Sequence, residues 1–405
     1  MIESPTVLLI AAMDTKQEPA NYLRDCIESE GVKVILMDPG LRGDPDDRID
    51  ISRHEVAAAV DTTVKEILDI GHEGEANTLM ATGAKKLTKK LQEQGTIHGV
   101  ISIGGSMGTT VGTAAMRALP IGFPKVMIST QASGFTRPFV GSSDIMMLHS
   151  VADVAGLNSV LRKVLHSGGK AVAGMAKADP PVIKSDKPLI VMTNLGITEQ
   201  CAQVVIQRLT DKGFEVTVFH ANGSGGPNME EVIRDGGVAA VLDMALIEIV
   251  DHLGGGLFDT GPDRGRAAVE TGTPTIIATG CIDVYAAGPL EDAKKRFPDR
   301  RYHQHNAAIT AVRTDESDLK RLAQHLGKIY NDATGNFKIF VPLGGFSSHD
   351  STEGHLYEPD LPPIFAKDLR EAISDHIPIE TLSYHINDEA FAIAIADAVI
   401  DIAKK

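Results

Sequence analysis

Tryptophan is absent from this 405-residue chain, and tyrosine and phenylalanine are sparse at 6 and 12. So little aromatic surface leaves no stacking platform for single-stranded nucleic acid. Positive charge is also short, with 39 Lys plus Arg against 54 Asp plus Glu and a net charge of −15. No basic field exists to hold a phosphate backbone, so nucleic acid is not an expected partner. The only cysteines, Cys26, Cys201 and Cys281, are far apart and unpaired in spacing, which argues against a disulfide framework or a cysteine zinc site. No run of 18 apolar residues occurs, and Glu3 and Pro5 stand where a signal peptide would carry positive charge. A cytoplasmic protein without a membrane partner is the expectation.

What is present is ordinary globular material, 43% hydrophobic and 23% charged. The length exceeds what one core usually supports, so two or three domains are expected. Thr6 to Met13 is a short apolar run, followed by the polar Asp14-Thr15-Lys16 and a helical pattern from about Glu18 to Ser29. Tyr22, Leu23, Cys26 and Ile27 share a face, Gly31 stops the helix, and Val32 to Met37 is a second strand. That is a βαβ unit of a parallel sheet. The same order returns in Leu189–Met192, Glu199–Thr210, Gly213 and Val216–Phe219. Gly99–Ile103 with Lys125–Ser129, and Val238–Leu242 with Thr275–Ala278, repeat a second pair of strands. Gly174 to Pro188, rich in Pro and Lys, reads as a linker. The fold class expected is therefore α/β, with two Rossmann-like subdomains at residues 1–178 and 188–405. Each should be a mostly parallel sheet with helices on both faces, holding ligands beyond the carboxyl ends of its strands.

The loops at those ends carry the candidate chemistry. Gly104-Gly105-Ser106-Met107-Gly108-Thr109-Thr110 follows the strand Val100–Ile103 and opens a helix. Glycines let backbone approach a phosphate, the helix start offers N–H donors, and Ser106, Thr109 and Thr110 add hydroxyls. It is neither a Walker A loop nor the three-glycine dinucleotide fingerprint, and a plain tight turn is the alternative. Asp14-Thr15-Lys16 should lie beside it, with Lys16 and Thr15 on phosphate and Asp14 on magnesium through water; a helix cap is the alternative. Gly141-Ser142-Ser143-Asp144, between Phe139-Val140 and a helix near Val151, adds Ser142 as ligand wall. Lys85, Lys86, Lys89 and Lys90 read as a solvated helix face.

The second half is richer in titratable groups. His220 to Asn228 ends a strand and opens a helix, another anion cradle. Asp243, Asp263-Arg264, Asp283, His303, His305-Asn306, Arg313 and His349-Asp350 would gather at one rim. Carboxylates, imidazoles and arginines together suit acid–base work on an anionic small molecule, with His305, Asp263 and Arg264 as catalytic candidates. A surface bridge between Asp263 and Arg264 is the alternative. His303 and His305 could share one face of a strand, but no third ligand has diagnostic spacing, so no metal is assigned. Cys281 reads as a small packed residue, and no serine-hydrolase elbow occurs.

Eight segments together resemble a known family. They are Asp14–Lys16, Ser102–Thr109, Val151–Asn158, His220–Met229, Phe258–Arg264, Arg301–Thr314, Pro342–Phe346 and His385–Asp388. In this order they are similar to the Tm-one-like family, the ATP-binding N-terminal domain of the tomato mosaic virus resistance protein. The resemblance spans nearly the whole chain. It implies ATP in the N-terminal half, with Mg2+ through the nucleotide, and a homodimer. ATP would be held by Asp14, Thr15, Lys16, Gly104, Gly105, Ser106, Gly108, Thr109, Thr110 and Ser142. Two other expectations stand beside it. One is a lyase or hydrolase of small oxo-acids that does not use ATP. The other is a non-catalytic dimer that responds to nucleotide.

Overall fold

The computed structural model describes residues 5–43, 48–134, 136–178 and 185–404. The chain divides into two compact units, Met1–Ile183 and Lys184–Lys405. In the first, strands β1 (Thr6–Ile10), β2 (Lys33–Met37), β3 (Gly99–Gly104), β4 (Lys125–Ser129) and β5 (Met146–His149) form one sheet. Its order is β2-β1-β3-β4-β5, and every pairing is parallel. Strand residues alternate between two cores, as a period of two demands. Val7, Leu9, Ile101, Ile103, Val126 and Ile128 meet the helices Met13–Glu28 and Ser159–Lys177. Leu8, Ile10, Val100 and Met127 meet Arg53–Ala58, Val64–Asp69, Glu73–Glu93 and Ser106–Met116 on the other face. Burial on both faces explains why these strands read as unbroken apolar runs.

The second unit repeats the plan with six strands. They are β6 (Leu189–Asn194), β7 (Glu215–His220), β8 (Val238–Ala245), β9 (Thr275–Gly280), β13 (Phe337–Pro342) and β14 (Ile379–Leu382). Their order is β14-β13-β9-β8-β6-β7, again all parallel. Helices Glu199–Asp211 and Glu389–Ala403 cover one face; Gly225–Asp235, Glu316–Tyr330 and Leu361–Ala372 help to cover the other. A small antiparallel sheet was not anticipated: β10 (Val284–Ala287), β11 (Tyr302–Gln304) and β12 (Thr310–Arg313), in the order β10-β12-β11.

Two local expectations need correction. The expected linker does not begin at Gly174, because the helix Ser159–Lys177 takes in its first four residues; residues 179–184 lie outside those described. The helix expected near Val151 starts at Ser159, where the Asn158 side chain accepts the N–H groups of Val160 and Leu161. Phe139-Val140 belongs to the helical turn Arg137–Val140, and the loop after it leads into β5.

Candidate functional site

In the first unit, strand order reverses between β1 and β3, and the rule for open α/β sheets puts ligands at that crevice. A cleft of about 370 Å³ opens there, lined by Asp14 and Thr15 after β1, Pro39–Arg42 after β2, and Met107 after β3. Ile67, Leu68, His72, Glu73, Ala76 and Asn77 form its far wall. A larger open depression of about 480 Å³, around Gln17, Asn21 and Arg162, lies along the outside of a helix and away from the strand ends.

The cleft's floor is held by two carboxylates. Asp38, fully buried at the end of β2, accepts the N–H groups of Met13 and Gly40 at 2.9 and 2.8 Å. Its other oxygen takes Arg53 through Nε at 3.0 Å and Nη2 at 2.6 Å. Asp14 accepts Leu41 and Arg42 N–H at 3.2 and 3.1 Å, which ties the loop after β2 to the start of the helix Met13–Glu28. The Pro39-Gly40 pair after an apolar strand was the signal that could have pointed to this loop.

Gly104 ends β3, Gly105 is the cap residue, and the helix begins at Ser106 with no side chain capping it. The glycines have different duties. A Cβ on Gly104 would sit 2.8 Å from Gly108 Cα, and one on Gly108 would sit 3.1 Å from the Ile103 carbonyl oxygen, so both exist for close strand–helix packing. Gly105 alone is open, its nearest neighbour being Thr130 Oγ1 at 3.8 Å. Ser106 is exposed at the helix start, Thr15 is exposed, and Lys16 is half-buried.

Three residues expected around phosphate do other work. Thr109 is fully buried, and its hydroxyl bonds the Gly105 carbonyl at 2.7 Å and Ser129 Oγ at 2.6 Å. Thr110 donates to the Ser106 carbonyl within its own helix. Ser142 precedes β5, which runs parallel to β4, so it lies at the amino end of the sheet and not at the glycine-loop rim. Its neighbour Asp144 pairs there with Lys125 at the start of β4 and accepts the Gly122 N–H. The lysines of Glu73–Glu93 are exposed, as a solvated face should be.

In the second unit the expected anion cradle is already filled from within. Glu248 Oε1 accepts the N–H groups of Gly223 and Gly226 at 2.8 and 3.2 Å, at the start of the helix Gly225–Asp235. Its other oxygen takes Arg264 Nε at 2.9 Å, while Asp243 grips the same guanidinium at 2.7 and 2.9 Å. Arg264 is thus buried and saturated; burial opposes its charge, but Asp243, Glu248 and Glu230 outweigh it and raise its pKa. The cavity beside it measures about 10 Å³, room for one water at most. Arg264 is therefore not an anion-binding catalytic group. Asp263 points away, with its side chain 80% exposed beside Arg266 and not paired to Arg264. His305 is exposed on the β11–β12 turn, where its N–H bonds the Ile309 carbonyl. Cys281 is fully buried, and burial pushes its thiol pKa up, so it is no nucleophile.

Part of the predicted rim does converge. Asp283 follows β9, and Ser347 and Asp350 follow β13; all three are fully buried. Arg313 of β12 lies between the acids, 3.6 Å from Asp283 and 3.1 Å from Asp350. Ser347 Oγ donates to Asp283 at 2.6 Å. Burial, and then the Asp283 charge, push the Asp350 carboxyl up to about 7 against the pull of Arg313. The His303 ring lies tilted against His349, with ring centres 4.2 Å apart, and stacks with His355 at 5.4 Å. Burial, then neighbouring imidazoles, lower the pKa of both His303 and His349. Sequence spacing could not find Ser347 or His355, because the small antiparallel sheet brings these segments together.

These features define a protein of two parallel-sheet α/β units, one with a cleft at its switch point and one with a buried acid–base cluster at its rim. Residues 5–181 match the N-terminal domain, and 187–403 the C-terminal domain, of the Uncharacterised protein family (UPF0261). The chain belongs to that family. A UPF0261 protein of Clostridium tetani is 36% identical over 400 residues, covering 98% of this chain and 99% of the relative. The ToMV resistance protein Tm-1(GCR237) of Solanum lycopersicum is 32% identical over 339 residues, 82% of this chain but 45% of that longer protein. Among solved structures, Acinetobacter baumannii MurG gives a TM-score of 0.25 at 12% identity, covering 98% and 100% of the two chains. UDP-GlcNAc 2-epimerase of Neisseria meningitidis, bound to UDP-GlcNAc, gives 0.22 at 9%, covering 67% and 82%. Likeness at that level carries no argument, and the fold class rests on the sheets themselves. No helix among the described residues is long and apolar enough to cross a membrane.

Proposed function

We propose that the first unit binds a nucleoside triphosphate, ATP with Mg2+, and that the protein works as a nucleotide-dependent homodimer. The observation that carries this reading is the 370 Å³ cleft at the β1/β3 switch point, beside an uncapped helix start. Backbone N–H groups at Ser106, Met107 and Gly108 suit an anion, and the helix dipole adds to them. Ile67, Leu68, Ala76 and Met107 offer an apolar seat for a base. Leu68 and Met107 are exposed, large side chains that a planar ring would cover. Asp14 stands at the same crevice and suits Mg2+ through water. The resemblance of the glycine loop to the Tm-one-like family implies ATP as the nucleotide.

Titration calorimetry with Mg-ATP tests the site. Gly105→Val should fold, since its Cβ has space, yet should block approach to the helix start. Affinity should fall at least tenfold, about 1.4 kcal/mol. Unchanged affinity in the folded variant would remove the site from consideration. Release of phosphate from bound ATP separates an ATP-using enzyme from a nucleotide-responsive protein. Light scattering at micromolar concentration tests the dimer, with a single-chain mass as the contrary result.

A further inference from the structure

The cleft of the first unit is lined by two carboxylates, Asp14 and Glu73, and by one permanently charged cation, Arg42. Lys16, the cation expected at this place, is not among its lining residues. His72 lines the cleft too, but it is spent on capping the helix Glu73–Glu93, its Nδ1 accepting the Glu75 N–H at 3.3 Å. An anionic ligand in this cleft therefore meets its fixed positive charge at Arg42.

The backbone of Arg42 is held on both sides while its side chain is left free. Its N–H donates to Asp14 Oδ2 at 3.1 Å, and its carbonyl accepts Arg53 Nη1. The same Arg53 nitrogen donates to the Gly43 carbonyl at 3.3 Å. Arg53 is 5% exposed and is itself gripped by Asp38, so a buried, hydrogen-bonded ion pair anchors the loop from beneath. The Arg42 guanidinium, by contrast, is exposed and makes no hydrogen bond or ion pair with any described residue. A fixed backbone under a free guanidinium lowers the ordering cost when a ligand engages the fork.

Resting on the nucleotide reading of this cleft, we infer that Arg42 is the side chain that binds the phosphates, in place of Lys16. Asp14 accepts the Arg42 N–H and is also the carboxylate suited to Mg2+, so metal, phosphate oxygens and guanidinium come together at one end of the cleft. The planar fork of arginine matches two oxygens of a phosphate, which an ammonium does not. Asp14 and Glu73 repel the same phosphates, and Mg2+ with Arg42 offsets that repulsion. Arg53 and Asp38 act as positioning residues for the loop that carries Arg42.

The test is binding of Mg-ATP and of adenosine to the full chain and to its Arg42→Gln variant, by titration calorimetry and saturation-transfer NMR. Arg42→Gln should weaken Mg-ATP at least about tenfold and leave adenosine, which carries no phosphate, unchanged. Because the side chain is exposed, the melting temperature of the ligand-free variant should not move. An equal loss for adenosine would make Arg42 a shaper of the cleft and overturn its role on phosphate. Undiminished Mg-ATP affinity in Arg42→Gln would overturn the assignment and leave the nucleotide site standing. No binding of Mg-ATP by the unaltered chain would remove the nucleotide reading, and the assignment with it.

Discussion

Arg264 separates a structural from a binding role at a single residue. Its side chain is 1% exposed and faces Asp243, Glu248 and Glu230. Removing this cation leaves Asp243 and Glu248 buried without a counter-charge, while Glu230 keeps Arg234, and such a loss costs about 3–5 kcal/mol in comparable buried pairs. Arg264→Met should therefore lose about that much stability in urea unfolding followed by circular dichroism. Undiminished stability with lost affinity for phosphate would instead make Arg264 a ligand group. Asp251 gives a residue-scale prediction of different sign. It is fully buried, accepts Phe258 and Ala286 N–H at 2.8 and 3.0 Å, and burial above all pushes its carboxyl up to about 8. The unfolded value is about 3.9, so between these limits the folded state binds the extra proton and stability falls as pH rises. His303, His325 and His349, lowered mainly by burial, act in the opposite direction but only below about 6.5. From pH 6.5 to 8 the melting temperature should therefore fall, with Asp350 contributing near 7. Asp251→Asn should flatten that slope; an equal slope in the variant would contradict the assignment.

At the scale of elements, the strand–helix–strand units were legible because their signals are local. Thr6–Ile10, Lys33–Met37 and Lys125–Ser129 are apolar, short and bounded by glycine or polar turns, and they became β1, β2 and β4. What was not legible depends on residues meeting across the chain. Glu248 fills the Gly223–Gly226 cradle from the helix after β8, and no spacing rule ties a carboxylate to a glycine loop in another element. Ser142 lies away from the glycine-loop rim because the loop Gly141–Asp144 leads into a strand, β5, and not into a helix, so it sits at the amino end of the sheet. The glycine loop shows how one motif mixes both kinds of information. Gly104→Ala should destabilise the first unit by about 1–3 kcal/mol through overpacking against Gly108, while Gly105→Ala, at φ −80° and with open space, should leave thermal stability nearly unchanged. Equal losses at both positions would mean that the loop is purely a packing device.

At the scale of the whole molecule, one α/β plan occurs twice with its rims put to different uses. The first unit keeps a cleft at its reversal of strand order. In the second, the helix start after β7 is sealed by the protein's own Glu248, and polar chemistry gathers instead beyond β9 and β13 around Asp283, Arg313 and Asp350. This division of labour follows from where carboxylates lie: Glu248 occupies the second cradle, while the cap residue before Ser106 is Gly105, which has no side chain to cap the helix start. It predicts that nucleotide touches the first unit and leaves the Glu248 cradle unaffected. Amide hydrogen exchange with and without saturating Mg-ATP measures that directly. The expected result is slowed exchange at residues 105–108, 39–42 and 67–77, with none at 223–228. Protection confined to residues 185–404, or no protection anywhere at saturating Mg-ATP, would contradict the account.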